Sequence, residues 1–164
     1  MKISIIVAIA SNGVIGNEDG IPWHYSSDLK HFRETTIGHP VIMGRQTFDN
    51  IQSKIGGPLP GRINIVLTQS RRSYNDESVQ VAEDIDQALN IADKTEANTV
   101  YVAGGRSIYK QFFEQNLADE LIITRIPEAF DGDVYWPGPE SADLKQVNSE
   151  EIGEGLEVIT YNLD

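Results

Sequence analysis

The apolar positions of this chain fall into short runs, and helical spacing separates them. Residues 3–10, ISIIVAIA, are β-branched and small apolar side chains stopped by Ser-Asn-Gly. That pattern reads as a buried strand. Runs of the same kind recur at Pro40–Met43, Ile63–Thr68, Ser78–Val81, Thr99–Ala103, Glu120–Arg125 and Leu156–Tyr161. Between them lie helical patterns over Asp28–Thr36, Thr47–Ile51, Ile85–Lys94 and Ser107–Gln115. Strand and helix in alternation predict an α/β fold with a mostly parallel sheet. Several strands are apolar on both faces, as a sheet covered by helices on both sides requires. After Arg125 no helical pattern precedes Leu156–Tyr161, which predicts antiparallel addition at one edge. Two long loops are expected, Ser11–Tyr25 and Gln52–Arg62, and long loops in compact domains usually serve as lids or binding loops. Nothing resembles a linker or a repeat, so residues 1–164 read as one domain.

Charge narrows the function classes. Twenty-five acids against 13 Lys and Arg give a net charge of −12 at pH 7. Such a surface repels nucleic acid, whose affinity rests on Lys and Arg contacts to phosphate. From Asp131 onward Lys145 is the single base; the excess fits a salt-adapted host or simply an acidic cytosolic protein. The absence of cysteine excludes disulfides, thiol nucleophiles and Cys-type zinc sites. His24, His31 and His39 lack metal-ligand spacing, so no metal is expected. The apolar run after Lys2 is shorter than a signal peptide of ~15–30 residues. No segment approaches the ~18 apolar residues of a membrane span, and a cytoplasmic protein is expected.

Ligands of open α/β sheets bind outside the carboxyl ends of the strands, and three such ends are chemically marked. Thr99–Ala103 runs into Gly104-Gly105 and then a helix, where bare backbone N–H groups can meet a phosphate. The plain alternative is a tight turn. Pro40–Met43 runs into Gly44-Arg45-Gln46-Thr47, again strand, glycine and helix. Arg45 adds a fork suited to phosphate, or is an exposed surface arginine. Two such turns in one sheet suggest a dinucleotide. Pro58-Leu59-Pro60-Gly61-Arg62 is a rigid turn that pins one Arg beside the strand INIVLT. It either grips a carboxylate or is turn chemistry alone. Asp28 opens a helix and shares a face with Phe32, four residues on. It serves the helix N-terminus, or, walled by Trp23 and Phe32, pairs with a flat nitrogen heterocycle through two parallel hydrogen bonds.

These pieces stand in a particular order: VAIASNGVIG, GIPWHYSSDLKHFRETT, HPVIMGRQTF, PLPGRINIVLT, VYVAGGRSIYKQF, LIITRI and FDGDVYWP. Together they resemble the dihydrofolate reductase family from end to end. The resemblance implies a single-domain α/β fold, with a mixed, mostly parallel eight-stranded sheet, flanking helices and an antiparallel C-terminal edge. It implies a monomer that reduces 7,8-dihydrofolate with NADPH, supporting one-carbon metabolism. By the family's motifs, Asp28 would bind the pterin N3 and 2-amino group, Thr124 would hydrogen-bond Asp28, and Trp23 would hold a water nearby. Ile6 and Ala103 would line the pterin pocket through their carbonyls. Leu29, Phe32, Ile51 and Leu59 would wall the aminobenzoyl group, and Arg62 would take the α-carboxylate. On the cofactor side, Ala8 and Ile15 would touch the nicotinamide amide, and Tyr109 would lie near its ring. Gly44, Arg45, Gln46, Thr47, Thr68, Gly104, Gly105 and Ser107 would serve the rest of the cofactor. Ile15–Trp23 would be a lid, braced by the loop carrying Asp133.

Hydride would pass from the nicotinamide C4 to pterin C6. Asp28, held at N3, is remote from N5, so solvent is the expected proton donor there.

The chain departs from the family pattern in places. Gln69 stands where an Arg often helps bind the 2′-phosphate, with Arg71 and Arg72 close behind. IQSKIGGPLPG is longer than the common form, Asn50 replaces a frequent Ser or Thr, and His31 replaces a larger aromatic. His31 is expected to be structural or solvent-facing. The pyrimidine reductase of riboflavin synthesis and a silent nucleotide-binding module are the rivals. The first needs neither Asp28 in its PWxxxxD context nor the LPGR arginine; the second could lose Asp28, Trp23 or Thr124.

Overall fold

The structure is a computed structural model that describes residues 1–17, 20–70 and 73–164. The first apolar run forms β1 (Lys2–Ala10), which lies in the middle of the sheet. In chain order the rest are β2 (Val14–Gly16), α1 (Ser26–Thr36), β3 (Val41–Gly44), α2 (Arg45–Ile55), β4 (Asn64–Leu67) and β5 (Val79–Ala82). Then follow α3 (Ile85–Asp93), β6 (Thr99–Val102), α4 (Arg106–Glu114), β7 (Glu120–Ile126), β8 (Val134–Tyr135), β9 (Lys145–Gly153) and β10 (Leu156–Asn162). Eight strands form one sheet in the order β5-β4-β3-β6-β1-β7-β10-β9. Pairing is parallel from β5 to β7, and antiparallel where β10 joins β7 and β9 joins β10. The expected architecture is therefore observed.

Alternation along the strands divides the core. Ile5 and Val7 of β1 face one layer with Ile42, Val102, Ile108 and Phe112, where α3 and α4 pack. Ile6 faces the other with Met43, Phe48, Leu59 and Ile122, and Phe32 of α1 and Ile51 of α2 lean on it. Both faces being apolar, the strands are wanted in the interior on either side. Among the described residues no helix is long and apolar enough to cross a membrane.

Three elements differ from the expectation. The supposed loop from Gln52 is helical as far as Ile55, ending at Gly56 in the left-handed region (φ 82°). The added length is thus mostly one more helical turn, and Gly56 stops it as a C-terminal glycine does. β9 gave no sign because KQVNSEEIG has no apolar alternation; Ile152 is its one partly buried residue. Backbone pairing to β10 carries it. The short β2 and β8 pair with each other apart from the main sheet.

Phe112 is fully buried between α4 and the sheet. Phe112→Ala is expected to cost roughly 3–5 kcal/mol of folding stability, measured as a lower midpoint in urea with an unchanged slope.

Candidate active site

The carboxyl ends of β1, β3 and β6 and the start of α1 converge on one cleft. The β3 and β6 turns meet directly: Gly44 N–H donates to the Gly104 carbonyl at 2.8 Å. Gly104 has φ +103°, and a side chain there would press on the Tyr109 ring at 3.1 Å. The Gly104–Gly105 peptide is cis. Thr47 Oγ1 lies beside this turn, 3.4 Å from where a Gly105 Cβ would stand.

Three helices start at this edge of the sheet, and they start differently. Asp84 caps α3, accepting from Gln87 N. α2 begins at Gly44 and α4 at Gly105 with no side-chain cap. Their first N–H groups are therefore available to an anion, which α3 has already satisfied internally. Arg45 makes a long 3.9 Å ion pair with Asp49, Gln46 and Ser107 are exposed, and the Thr68 hydroxyl is engaged with Ser70 at 2.9 Å. Gln69 is exposed; Arg71 and Arg72 lie outside the described residues.

Across the cleft, α1 carries Asp28 in its first turn. Burial pushes its carboxyl above the usual range, the Trp23 indole N–H opposes that rise, and the charge on Glu154 adds to it. The indole is near enough to act electrostatically but makes no direct hydrogen bond, and Nε1 is left buried without a partner. No Lys or Arg pairs with Asp28 among the described residues. Tyr109 is buried and donates to the Ile6 carbonyl at 2.8 Å. Burial, and then the charge on Asp28, drives its phenol far up. Thr124 is buried on β7, in register with Ala8 of β1, and Ile122 is in register with Ile6. Alternation places Thr124, Ala8, Ile6 and Ile122 on one face, the face Phe32 of α1 covers. No hydrogen bond joins the Thr124 and Asp28 side chains.

The outer wall is held by a residue that the motifs did not single out. Asn64 is fully buried at the start of β4. Its amide donates to the Leu59 and Arg62 carbonyls at 3.1 Å, and its oxygen accepts from Leu59 N at 3.0 Å. A polar residue inside the apolar run INIV was the available signal. Arg62 itself donates to the Pro60 carbonyl at 2.9 Å and to Thr36 Oγ1 at 3.1 Å, with its guanidinium 5.9 Å from the Phe32 ring centre. Its surface is covered but it lies at shallow depth in the wall. Burial and then neighbouring Arg33 push its pKa down. No acid pairs with it among the described residues. Leu59, Ile51 and Ala103 join the same apolar cluster, whereas Leu29 is 55% exposed on the outer face of α1. Two open grooves, of about 510 and 540 Å³, lie along that outer face and at the amino ends of the strands. Neither is lined by Asp28.

Ile15, expected to touch the cofactor, is buried on β2. The expected lid includes Glu18 and Asp19, which lie outside the described residues. Within its described part Gly16 pairs with Val134, and Asn17 N–H donates to the Gly20 carbonyl at 2.7 Å. Just before it, Val14 pairs with Tyr135, Trp136 N–H donates to the Gly13 carbonyl at 3.0 Å, and Asn12 donates to the Phe130 carbonyl. Asp133 sits exposed in that bracing loop. His31 is half-buried rather than solvent-facing; Glu150 and Glu34 face it, and burial still lowers its pKa. Among the described residues no group of three His, Asp or Glu could hold a metal.

The pattern describing the family "Dihydrofolate reductase" matches residues 2–162. The chain belongs to the dihydrofolate reductase family. It is 34% identical to the dihydrofolate reductase HdrB of Haloferax volcanii, over 98% of this chain and 83% of that one. It is 39% identical to the type 3 dihydrofolate reductase of Salmonella typhimurium, over 84% and 79%. A dihydrofolate reductase from Enterococcus faecalis, solved with NADP(H) and RAB-propyl, matches with a TM-score of 0.82 at 32% identity, over 98% and 95%.

A carboxylate drawn out of water in this position weakens the fold when ionised. Asp28 holds its proton more tightly folded than unfolded, so its contribution to stability is full at low pH and is lost as pH rises through the folded value. Asp28→Asn is expected to raise the melting temperature at pH 7, with the gain vanishing below about pH 4; thermal melts across pH test it.

Proposed function

We propose that Asp28 is the carboxylate that recognises the pterin in NADPH-dependent reduction of 7,8-dihydrofolate to tetrahydrofolate. The observation that carries this reading is a half-buried acid with no Lys or Arg paired with it among the described residues. Such a group is costly unless a ligand completes it. The N3 and 2-amino edge of a pterin offers two parallel donors, which an ionised carboxylate accepts in one plane. A water between Asp28 and the unpartnered Trp23 N–H would satisfy both groups. Thr124, buried on β7 beside Ala8, would share its hydroxyl with the bound pair. The Ile6 carbonyl, which accepts from Tyr109, and the Ala103 carbonyl would line the pterin pocket.

The residues at the glycine turns fit a dinucleotide. Two uncapped helix starts, bonded to one another through Gly44 and Gly104, present backbone donors to phosphates, with Arg45, Gln46, Thr47 and Ser107 around them. Thr68 and Ala8 border the path, and Tyr109 lies where the nicotinamide would meet the pterin. NADPH supplies the hydride for C6. Asp28 orients the ring and favours its protonated form electrostatically, while solvent delivers the N5 proton. Phe32, Ile51 and Leu59 exclude water from the aminobenzoyl group, and Arg62 awaits a carboxylate.

Asp28→Asn is expected to fold and to lose on the order of a hundredfold in rate at pH 7. The loss shrinks in acid, where substrate arrives already protonated. Steady-state rates between pH 5 and 9 test this; an unchanged profile rejects the role. Arg62→Leu is expected to raise the KM for dihydrofolate roughly 10- to 100-fold, the weight of a charged hydrogen bond. A dihydropterin substrate without the glutamate should not notice the change, and parallel kinetics with the two substrates check it.

A further inference from the structure

The helix that carries Asp28 lacks a cap of its own. Its N-cap residue is Tyr25, whose side chain makes no capping bond. The missing acceptor comes from the far end of the chain. In the turn between β9 and β10, Gly153, Glu154 and Gly155 all have positive φ, +103°, +56° and +78°. A glutamate in the left-handed region is uncommon, and here it delivers a carboxylate to the start of α1. Glu154 Oε1 accepts from Ser27 N–H at 2.7 Å and from Ser27 Oγ at 2.7 Å. Ser27 immediately precedes Asp28. The same hairpin meets α1 again one turn on, where Glu150 faces His31.

We propose that Glu154 is a positioning residue for Asp28: from 127 residues away in the chain, its carboxylate fixes the first turn of α1 through Ser27 and so sets the bearing of the acid that meets the pterin. Three points support a role beyond holding the fold. A carboxylate on N-terminal N–H groups both satisfies them and complements the helix dipole. The two bonds from Ser27, and then His24, hold Glu154 below the usual carboxylate range, so it stays ionised through the working pH. Its charge also reaches Asp28. The groups facing Asp28 are Trp23, Tyr109 and Glu154; His24 and Ser27 face Glu154. Glu154 is therefore the ionised neighbour able to tune Asp28.

The proposal rests on the Asp28 reading, and the experiment separates the two. Glu154→Ala, Glu154→Gln, Asp28→Asn and the Asp28→Asn/Glu154→Gln pair are compared by kcat/KM for dihydrofolate over pH and by thermal melting. Glu154→Ala should lower kcat/KM about fivefold, the weight of one helix cap. Glu154→Gln keeps an acceptor and should recover most of that loss. Both should shift the apparent pKa that Asp28 contributes to the rate profile down, because a neighbouring negative charge is removed. The shift should shrink in high salt, and in the Asp28→Asn background Glu154→Gln should change nothing further. Glu154→Ala that melts earlier but keeps the wild-type profile overturns the proposal, making Glu154 merely structural. An equal Glu154→Gln effect with and without Asp28 overturns it too. If Asp28→Asn alone keeps full neutral-pH activity, the Asp28 reading is what fails.

Discussion

A carboxyl group drawn partly out of water, Asp28, with no cation paired with it among the described residues, sets the terms for this molecule. An ionised acid in that position opposes folding, so the sheet and its two apolar layers must supply the stability that holds it there. β1 lies between β6 and β7 at the centre of eight strands, and α1 is pressed against that centre through Phe32. The acid is thus mounted on the part of the fold least able to relax around it. Arg62 shows the same arrangement with opposite sign: a covered guanidinium that donates to a carbonyl and a hydroxyl and has no acid paired with it among the described residues.

The cofactor side is governed by backbone rather than side chains. α3 starts at the same edge of the sheet as α2 and α4, yet Asp84 closes it to outside anions. The two helices that begin at glycine stay open. The difference between these neighbouring helix ends comes from one residue type at the start of each: an aspartate that caps α3 from within, and a glycine that leaves α2 and α4 without a side-chain cap.

Much of this was legible in the letters. The strands that alternate between two buried layers announce themselves, because Ile5 and Ile6 both need cover. The glycine turns, Asp28 and Arg62 were legible because their chemistry is local: a strand end, a helix start, a rigid turn. What stayed hidden depends on partners distant in sequence or on backbone alone. β9 is exposed along its length, so hydrophobic pattern had nothing to report. The run through Lys54 and Ile55 looked like loop because Gly56 and the prolines after it weigh on any reading of the segment, although the helix ends only at that glycine. Asn64 stood in plain view inside an apolar strand, but its three bonds to the Leu59 loop follow from the turn's geometry and not from spacing.

The exposed β9 has one more effect. It is the outermost strand on its side of the sheet, and its free backbone edge is an invitation to a strand from another molecule. Glu150 and Glu151 stand on that border. A second copy docking there would bring negative rows face to face, so repulsion guards the open flank against stacking into ribbons.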